Sequence, residues 1–258
     1  MGGCGSKIST STLYDNPNWM PDGRIICNKL VITTTQQLYG TGISESHSYI
    51  AALTINDNNE VIKEENLFEG GVGHSIACSP AGELIAGIAY GLGEMYISDY
   101  RGNTYQVPSA SGVAYLDWSP DGDRLVYSSS RNLYIINKDG TGKTQIASGV
   151  DTIAWRYGDK IAYVSDKLTL INPDGTGTLE TVIGGRPQKK SNGDLVYQYL
   201  ADIKTINSAG TNEVTLFSGY EPYTFKLSFD GQKIVGGALG DPGIWVINID
   251  GTGYTRLR

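Results

Sequence analysis

Short apolar and β-branched runs alternate along this chain with turns rich in Gly, Asp and Asn. Within residues 113–149 this pattern predicts four strands, at 113–118, 124–128, 133–137 and 143–147. The segment Pro120-Asp121-Gly122 predicts a tight turn between the first two strands, because proline presets φ and glycine accepts a positive φ. Residues 113–149 are therefore expected to form one four-stranded antiparallel unit.

The same two turns recur six times along the chain. In the six successive repeats, the first turn ends at Gly23, Gly82, Gly122, Gly158, Gly193 and Gly231. The second turn is centred on Asn59, Gly102, Gly140, Gly175, Gly210 and Gly251. Three residues before each second turn lies Asn56, Asp99, Asn137, Asn172, Asn207 or Asn248. The amide of Asn137 is expected to hydrogen-bond to the backbone of the following loop.

This repeat predicts the architecture of the whole chain. A single four-stranded unit is only marginally stable, and stacking such units around an axis buries both faces of each one. We expect an all-β protein, a six-bladed β-propeller of four-stranded antiparallel blades, as a single domain over residues 15–258. The expected blades are residues 15–72, 73–112, 113–149, 150–185, 186–219 and 220–258. Trp19, Trp118 and Trp155 are expected to pack between blades, and Cys78 takes the same position in the repeat.

The first repeat is longer than the others. Five separations between the two turn positions are 17 to 20 residues, and the first is 36. An insertion within residues 28–48 is therefore expected, as an extra hairpin at the rim. Residues 1–14 are expected to be a flexible leader rich in Gly, Ser and Thr. Two closures of the ring stay open: the last blade docks on the first without exchange, which is favoured, or residues 9–14 add a strand to the last blade.

Composition and charge limit the partners. The net charge of -7 argues against nucleic acid, which requires clustered Lys and Arg. Lys189-Lys190 is the one short basic run, and a solvated loop is its simplest interpretation. No window approaches the roughly 18 apolar residues of a membrane-spanning helix. The three cysteines are too scattered for a Cys-based zinc site, and we expect a monomer with no metal and no cofactor.

The N-terminus carries a candidate targeting signal. Gly2 with Ser6 fits N-myristoylation, with Cys4 available for a second acyl chain. The segment around Cys4 also resembles the start of a mature bacterial lipoprotein. The third interpretation is an unmodified leader. An extracytoplasmic location, in the periplasm or on the cell surface, is favoured, while a cytoplasmic or a myristoylated membrane-associated protein stays open.

The repeat resembles that of the TolB-like six-bladed propellers, a family with a WD-like repeat. The matching residues are Trp118-Ser119-Pro120-Asp121-Gly122, Leu133-Tyr134-Ile135-Ile136-Asn137 and Asp139-Gly140. The resemblance implies the six-bladed propeller fold. The family that it points to includes binding proteins, propeller domains of prolyl oligopeptidase-like peptidases and oligogalacturonate lyases. A lyase of that kind implies metal-binding histidines in the channel, whereas this chain has only His47 and His74.

The expected binding face carries the loops between second and third strands and between blades. Its candidate binding residues are Tyr39, His47, Tyr90, Tyr199, Tyr220, Tyr223 and Asp241. No catalytic residue is assigned. The favoured hypothesis is a non-enzymatic binding propeller that recognises a protein or glycan through this face and the insertion. The alternative is a small lyase or hydrolase acting in the channel, with or without a metal.

Overall fold

The computed structural model describes residues 7–36, 43–70, 75–89, 93–219, 224–238 and 241–257. Within these ranges the strands are β1 (Lys7–Trp19), β2 (Ile25–Gln36), β3 (Ile43–Ile55), β4 (Val61–Glu69), β5 (Ile76–Cys78), β6 (Leu84–Ile88), β7 (Met95–Asp99), β8 (Thr104–Gln106), β9 (Val113–Trp118), β10 (Arg124–Ser129), β11 (Asn132–Asn137), β12 (Thr144–Ser148), β13 (Thr152–Ala154), β14 (Ile161–Val164), β15 (Leu168–Ile171), β16 (Leu179–Glu180), β17 (Gly185–Lys189), β18 (Leu195–Tyr199), β19 (Asp202–Ile206), β20 (Val214–Ser218), β21 (Thr224–Leu227), β22 (Lys233–Ala238), β23 (Asp241–Asn248) and β24 (Thr255–Arg256).

The strands form six antiparallel sheets of four, and each sheet uses four strands that are consecutive in the chain. Blade one is β1–β4, blade two β5–β8, blade three β9–β12, blade four β13–β16, blade five β17–β20 and blade six β21–β24. The predicted six-bladed β-propeller is therefore confirmed. No helix that is long and apolar enough to cross a membrane occurs among the described residues.

The core lies between blades rather than within one centre. Six apolar clusters each join two neighbouring blades, as when Trp118 of blade three packs with Ala77 and Ile97 of blade two. One of these clusters joins Trp19 of blade one to Val246 of blade six and so closes the ring. Each blade thus buries both faces against its neighbours, as the marginal stability of an isolated sheet requires.

The expected positions of the tryptophans are confirmed, since Trp19, Trp118 and Trp155 are all buried between blades. Trp118 Nε1 donates to Ala77 O of the preceding blade at 3.0 Å, and Trp19 Nε1 donates to Lys226 O of blade six at 3.1 Å. Trp155 Nε1 is buried without a hydrogen-bond acceptor in the described part of the chain. Cys78 is also buried.

The second turns hold their shape through side chains, although not quite as the sequence indicated. Asn137 Nδ2 donates to Thr141 Oγ1 at 2.9 Å rather than to the backbone, and Asp139 Oδ1 accepts from Thr141 N at 2.9 Å. In blade five, Asn207 Oδ1 accepts from Thr211 N at 2.9 Å, which is the kind of backbone contact that was expected of Asn137. The aspartate two residues later therefore replaces the asparagine as backbone acceptor where it is present.

Blade one differs from the expectation at its N-terminal side. Lys7–Tyr14, expected to belong to a flexible leader, form the first half of β1, while residues 1–6, with Gly2 and Cys4, lie outside the described residues. The insertion is not a separate hairpin, because β1, β2 and β3 continue into it side by side. Ser9 pairs with Thr34, and Thr34 pairs in turn with Ser44. We call this three-stranded extension, residues 7–13, 30–36 and 43–48, the blade-one arm.

The ring closes without strand exchange. Blade six is complete in β21–β24, and residues 9–14 pair with residues 29–34 inside blade one. The alternative in which residues 9–14 add a strand to the last blade is therefore wrong. This segment pairs well with β2, because residues 31–34 of β2 are the β-branched Val, Ile, Thr and Thr, which favour strands.

Lys189-Lys190 is not a solvated loop. Lys189 is the last residue of β17 and only 6% exposed, in the position that Trp118 occupies in blade three. Its Nζ donates to Lys160 O of blade four at 2.6 Å. The ammonium group is held between two blades because it replaces a tryptophan in the repeat.

Candidate functional site

A cavity of about 370 Å³ opens where the six first strands begin. It is lined by Asn16, Pro17, Ser75, Val113, Ala114, Tyr115, Thr152, Ile153, Arg186, Gln188, Thr224, Phe225 and Lys226. Every blade contributes to this lining, so the cavity is the mouth of the central channel. Its volume is within the range of small-molecule sites, and its mixture of apolar walls with a few polar groups is typical of them.

Two bulges shape the wall of the cavity. Asn16 precedes Pro17 in β1, and Arg186 precedes Pro187 in β17. Both residues before proline have a positive φ, 48° at Asn16 and 50° at Arg186, and strand pairing shifts at both places. Proline cannot donate to the ladder, so each strand leaves its pairing there and turns toward the channel. Unusual backbone conformations of this kind concentrate at functional sites.

Below the cavity, Arg156 closes the channel. Its Nη1 donates to Leu227 O of blade six at 3.1 Å, and its Nη2 donates to Asn18 Oδ1 of blade one at 2.9 Å. The guanidinium group also lies 4.3 Å from the ring centre of Phe229. Asn18 Nδ2 in turn donates to Ile76 O of blade two at 2.6 Å. These bonds make a fixed polar floor to which four blades contribute.

Asp117 belongs to the same floor. Its Oδ1 accepts from Trp118 N at 3.0 Å, and its Oδ2 accepts from Trp155 N at 2.9 Å and Arg156 N at 3.3 Å. Three backbone donors therefore satisfy this carboxylate, which joins blade three to blade four. It is held as a structural group.

Lys226 is the cation that faces the cavity from blade six. Burial lowers the pKa of its amine; Asp117 opposes this effect and Arg156 adds to it. In the part of the chain that the structure describes, its Nζ makes no hydrogen bond and no ion pair. Arg186, the other charged residue of the lining, donates through Nη1 to Gln198 Oε1 at 2.9 Å. Both charged groups of the wall are thus positive.

The blade-one arm begins on the same side of the ring, since it extends the start of β1. At its base, Lys29 Nζ lies 2.6 Å from Glu64 Oε1 and 5.9 Å from the ring centre of Tyr49. His47, a predicted binding residue, is exposed on β3, and its Nδ1 lies 3.1 Å from Glu69 Oε1. Its ring stacks on Tyr49 at 6.4 Å between centres. His47 is therefore an arm residue, and the cavity lining does not include it.

The other predicted binding residues are placed only in part. Tyr199, 38% exposed, ends β18, and the Nζ of Lys204 lies 5.2 Å from its ring centre. Asp241 begins β23, and its side chain is outside the described residues. The remaining four predicted residues lie entirely outside the described residues: Tyr39, Tyr90, Tyr220 and Tyr223. The structure thus does not bring the described candidates into one site, and their binding roles stay predictions.

Sequence reasoning missed the polar ring that surrounds the channel. Its members Asn18, Asp117, Gln188 and Lys226 each lie five residues before a first-turn glycine, inside an otherwise apolar first strand. A polar residue recurring at that position is the signal that could have indicated a channel lined by side chains.

The lining offers a poor set of donors for a divalent metal. Among its described residues it contains amide, hydroxyl and cationic groups but no His, Cys, Asp or Glu. The described residues as a whole contain no cluster of three such ligands. The metal-binding channel that the lyase resemblance implied therefore does not fit the residues of this cavity.

Comparison with known proteins shows similarity of fold. Residues 90–156 match the model of the dipeptidyl peptidase IV N-terminal region. No curated protein is significantly similar to the chain in sequence. A solved nidogen/laminin complex contains a chain with a TM-score of 0.65 and 9% identity, over 93% of this chain and 90% of that one.

Two other solved structures extend this comparison. A protein assigned as TolB from Agrobacterium tumefaciens has a TM-score of 0.55 and 17% identity, over 84% of this chain and 90% of that one. An oligogalacturonate lyase in complex with manganese has a TM-score of 0.58 and 17% identity, over 96% and 78%. The chain is thus a six-bladed β-propeller. It has TolB-like structural neighbours and a region like the N-terminal part of dipeptidyl peptidase IV, and its fold is shared by binding proteins and enzymes.

Proposed function

We propose that this protein is a non-enzymatic binding propeller that recognises a protein partner through the face where the first strands begin. The observation that carries the proposal is the blade-one arm. It extends three strands of one blade past the ring, next to the mouth of the channel. At about 3.4 Å per residue, its seven-residue first strand reaches roughly 20 Å.

The side chains of the arm favour contact with a partner over a structural role. Residues 8–12 of β1 and 44–47 of β3 are exposed, and both faces carry mainly Ser and Thr. Such an extension buries little apolar surface of its own. A surface of small hydrogen-bonding side chains on a fixed sheet suits recognition of a polar partner.

The edge of the arm supports a protein rather than a glycan. β4 begins to pair with β3 at Tyr49 opposite Glu69, so the outer edge of residues 43–47 has no strand partner among the described residues. An exposed edge of this kind can accept an extended segment of another protein as an added strand. We expect an extended segment of the partner to lie along residues 43–47.

The test is a variant with a shortened arm. Leu30 lies directly opposite Ser48, so replacing residues 31–47 by Asn-Gly should close β2 and β3 with a tight turn. We expect this variant to keep the circular-dichroism spectrum and melting temperature of the unmodified protein and to lose most of its capture of a partner from the native host. Unchanged capture by the folded variant would refute the proposal.

Two further measurements define the mode of contact. A triple variant, with Thr33, Thr34 and Thr35 all changed to Ala, keeps the strand but alters its side chains. Retained capture by this variant is expected if the backbone edge of β3 binds the partner. Loss of capture after enzymatic deglycosylation of the host extract would instead assign recognition to a glycan.

A further inference from the structure

The amine of Lys226 has an unusual electrostatic position. It faces a cavity of about 370 Å³, and no described residue forms an ion pair with it. Burying an ammonium group without a counter-ion is costly, so such groups are normally paired or hydrogen-bonded. Lys226 therefore has no ion-paired counter-ion among the described residues. A bound molecule with a negative charge can supply one.

The carboxylate of Asp117 attracts this amine but forms no ion pair with it. Both oxygens of Asp117 accept backbone hydrogen bonds, from Trp118, Trp155 and Arg156. Arg156, the other nearby charge, is fixed by Asn18 and Leu227 and adds a positive charge below the cavity. Backbone groups and Asn18 thus hold the two charged groups of the floor in place, and Lys226 is left as the group that can meet a ligand.

The remaining wall indicates what kind of ligand fits. Arg186 adds a second positive charge, and the described lining has no acidic residue. Val113, Ile153 and Phe225 provide an apolar surface beside these cations. A small anion with an apolar body would match both parts, since ligand sites combine apolar walls with a few placed polar groups.

We propose that the channel mouth is a binding site for a small organic carboxylate, with Lys226 as the residue that contacts its carboxylate group. This inference is independent of the arm, and it goes beyond the proposed recognition of a protein partner. The carboxylate belongs either to a free small molecule or to a side chain or terminus of that partner. Either source presents the same chemistry to Lys226.

Binding of para-fluorobenzoate, followed by fluorine NMR relaxation, tests the site. We expect binding at millimolar concentration, with the neutral para-fluorobenzamide bound at least about tenfold more weakly, because it lacks the negative charge that would pair with the ammonium group. Lys226→Met should weaken binding of the acid roughly 10- to 100-fold. Lys226→Arg, which keeps the cation, should retain more binding than Lys226→Met.

The controls separate this site from general charge effects. Lys63→Met removes an exposed positive charge on β4, outside the cavity, and should leave binding unchanged. Equal binding of acid and amide, unchanged binding in Lys226→Met, or no binding of para-fluorobenzoate would overturn the proposal. Inorganic phosphate that displaces para-fluorobenzoate at a concentration below that at which para-fluorobenzoate itself binds would also overturn the proposal.

The variant with the shortened arm distinguishes the two proposals. It should bind para-fluorobenzoate normally, because the lining contains no residue of the arm. Binding that does not depend on Lys226 refutes the carboxylate site alone, whereas unchanged partner capture by the shortened arm refutes only the proposed function. Partner capture by Lys226→Met identifies the source: loss assigns the carboxylate to the partner, and retention assigns it to a free small molecule.

Discussion

Lys189 gives a prediction that can be worked out in magnitude. Burial lowers the pKa of its amine from the ordinary 10.5 to about 8, and Lys160 adds to this effect while Asp159 opposes it. The native state therefore binds fewer protons than the unfolded state between about pH 8 and pH 10.5. At 1.36 kcal/mol per pKa unit, the ammonium group costs about 3 kcal/mol of stability below pH 8, and this cost disappears as the pH rises to 10.5.

The perturbation is Lys189→Met, which keeps an unbranched side chain of similar length and removes the charge. The free energy of unfolding, from urea denaturation, is measured for both proteins at pH 7 and pH 10. The stability of the unmodified protein relative to the variant should increase by roughly 2–3 kcal/mol between these values. Lys63→Met controls for the loss of one positive charge. Parallel pH dependence in the unmodified protein and Lys189→Met would refute the reasoning.

Two pairs of variants test the packing with matched controls. Trp118→Phe should lower the free energy of unfolding, measured by urea denaturation, by about 1–3 kcal/mol more than Trp155→Phe does. The indole of Trp118 donates a hydrogen bond to Ala77 O, which the change leaves without its donor, whereas the indole of Trp155 has no acceptor among the described residues. Equal losses would show that the bond to Ala77 O contributes nothing. Gly236→Ala should lower stability by about 1–3 kcal/mol, since a Cβ there would overlap Trp245 and lie 2.8 Å from Thr224 O. In Gly237→Ala the nearest atom lies 3.5 Å from the new Cβ, so the melting temperature should change little, and an equal drop in both variants would contradict the steric explanation.

The fold could be predicted from the sequence because the repeat depends on turn residues whose conformational preferences are local. Gly122 and Gly140 both adopt the positive φ that their turns require, and Trp118 lies between blades as its position indicated. Each of these features depends on a few neighbouring residues. Six copies of the same local pattern then leave a single way to bury both faces of every sheet.

The differences arose where pairing or tertiary position outweighs local pattern. The Ser- and Thr-rich residues 7–13 resemble a leader until they pair with residues 30–36 of β2, of which residues 31–35 are β-branched. Lys189 occupies a core position because the repeat fixes its place, although its chemistry favours solvent. The cavity combines residues from all six blades, and Asn18 and Arg156, 138 residues apart, meet only when the ring is closed. No local pattern contains that juxtaposition.

The position of Arg156 has a consequence for folding during synthesis. Its acceptor in blade six, Leu227 O, lies 71 residues further along the chain. While the N-terminal blades leave the ribosome, the guanidinium group therefore has no blade-six carbonyl to bind, and the wall formed by Phe225 and Lys226 is still missing. Domains generally fold as units, so this single-domain ring is completed only when its last blade is available. The ligand site of this propeller would then be among the last parts of the molecule to form, so ligand binding reports that the chain has been completed through β21.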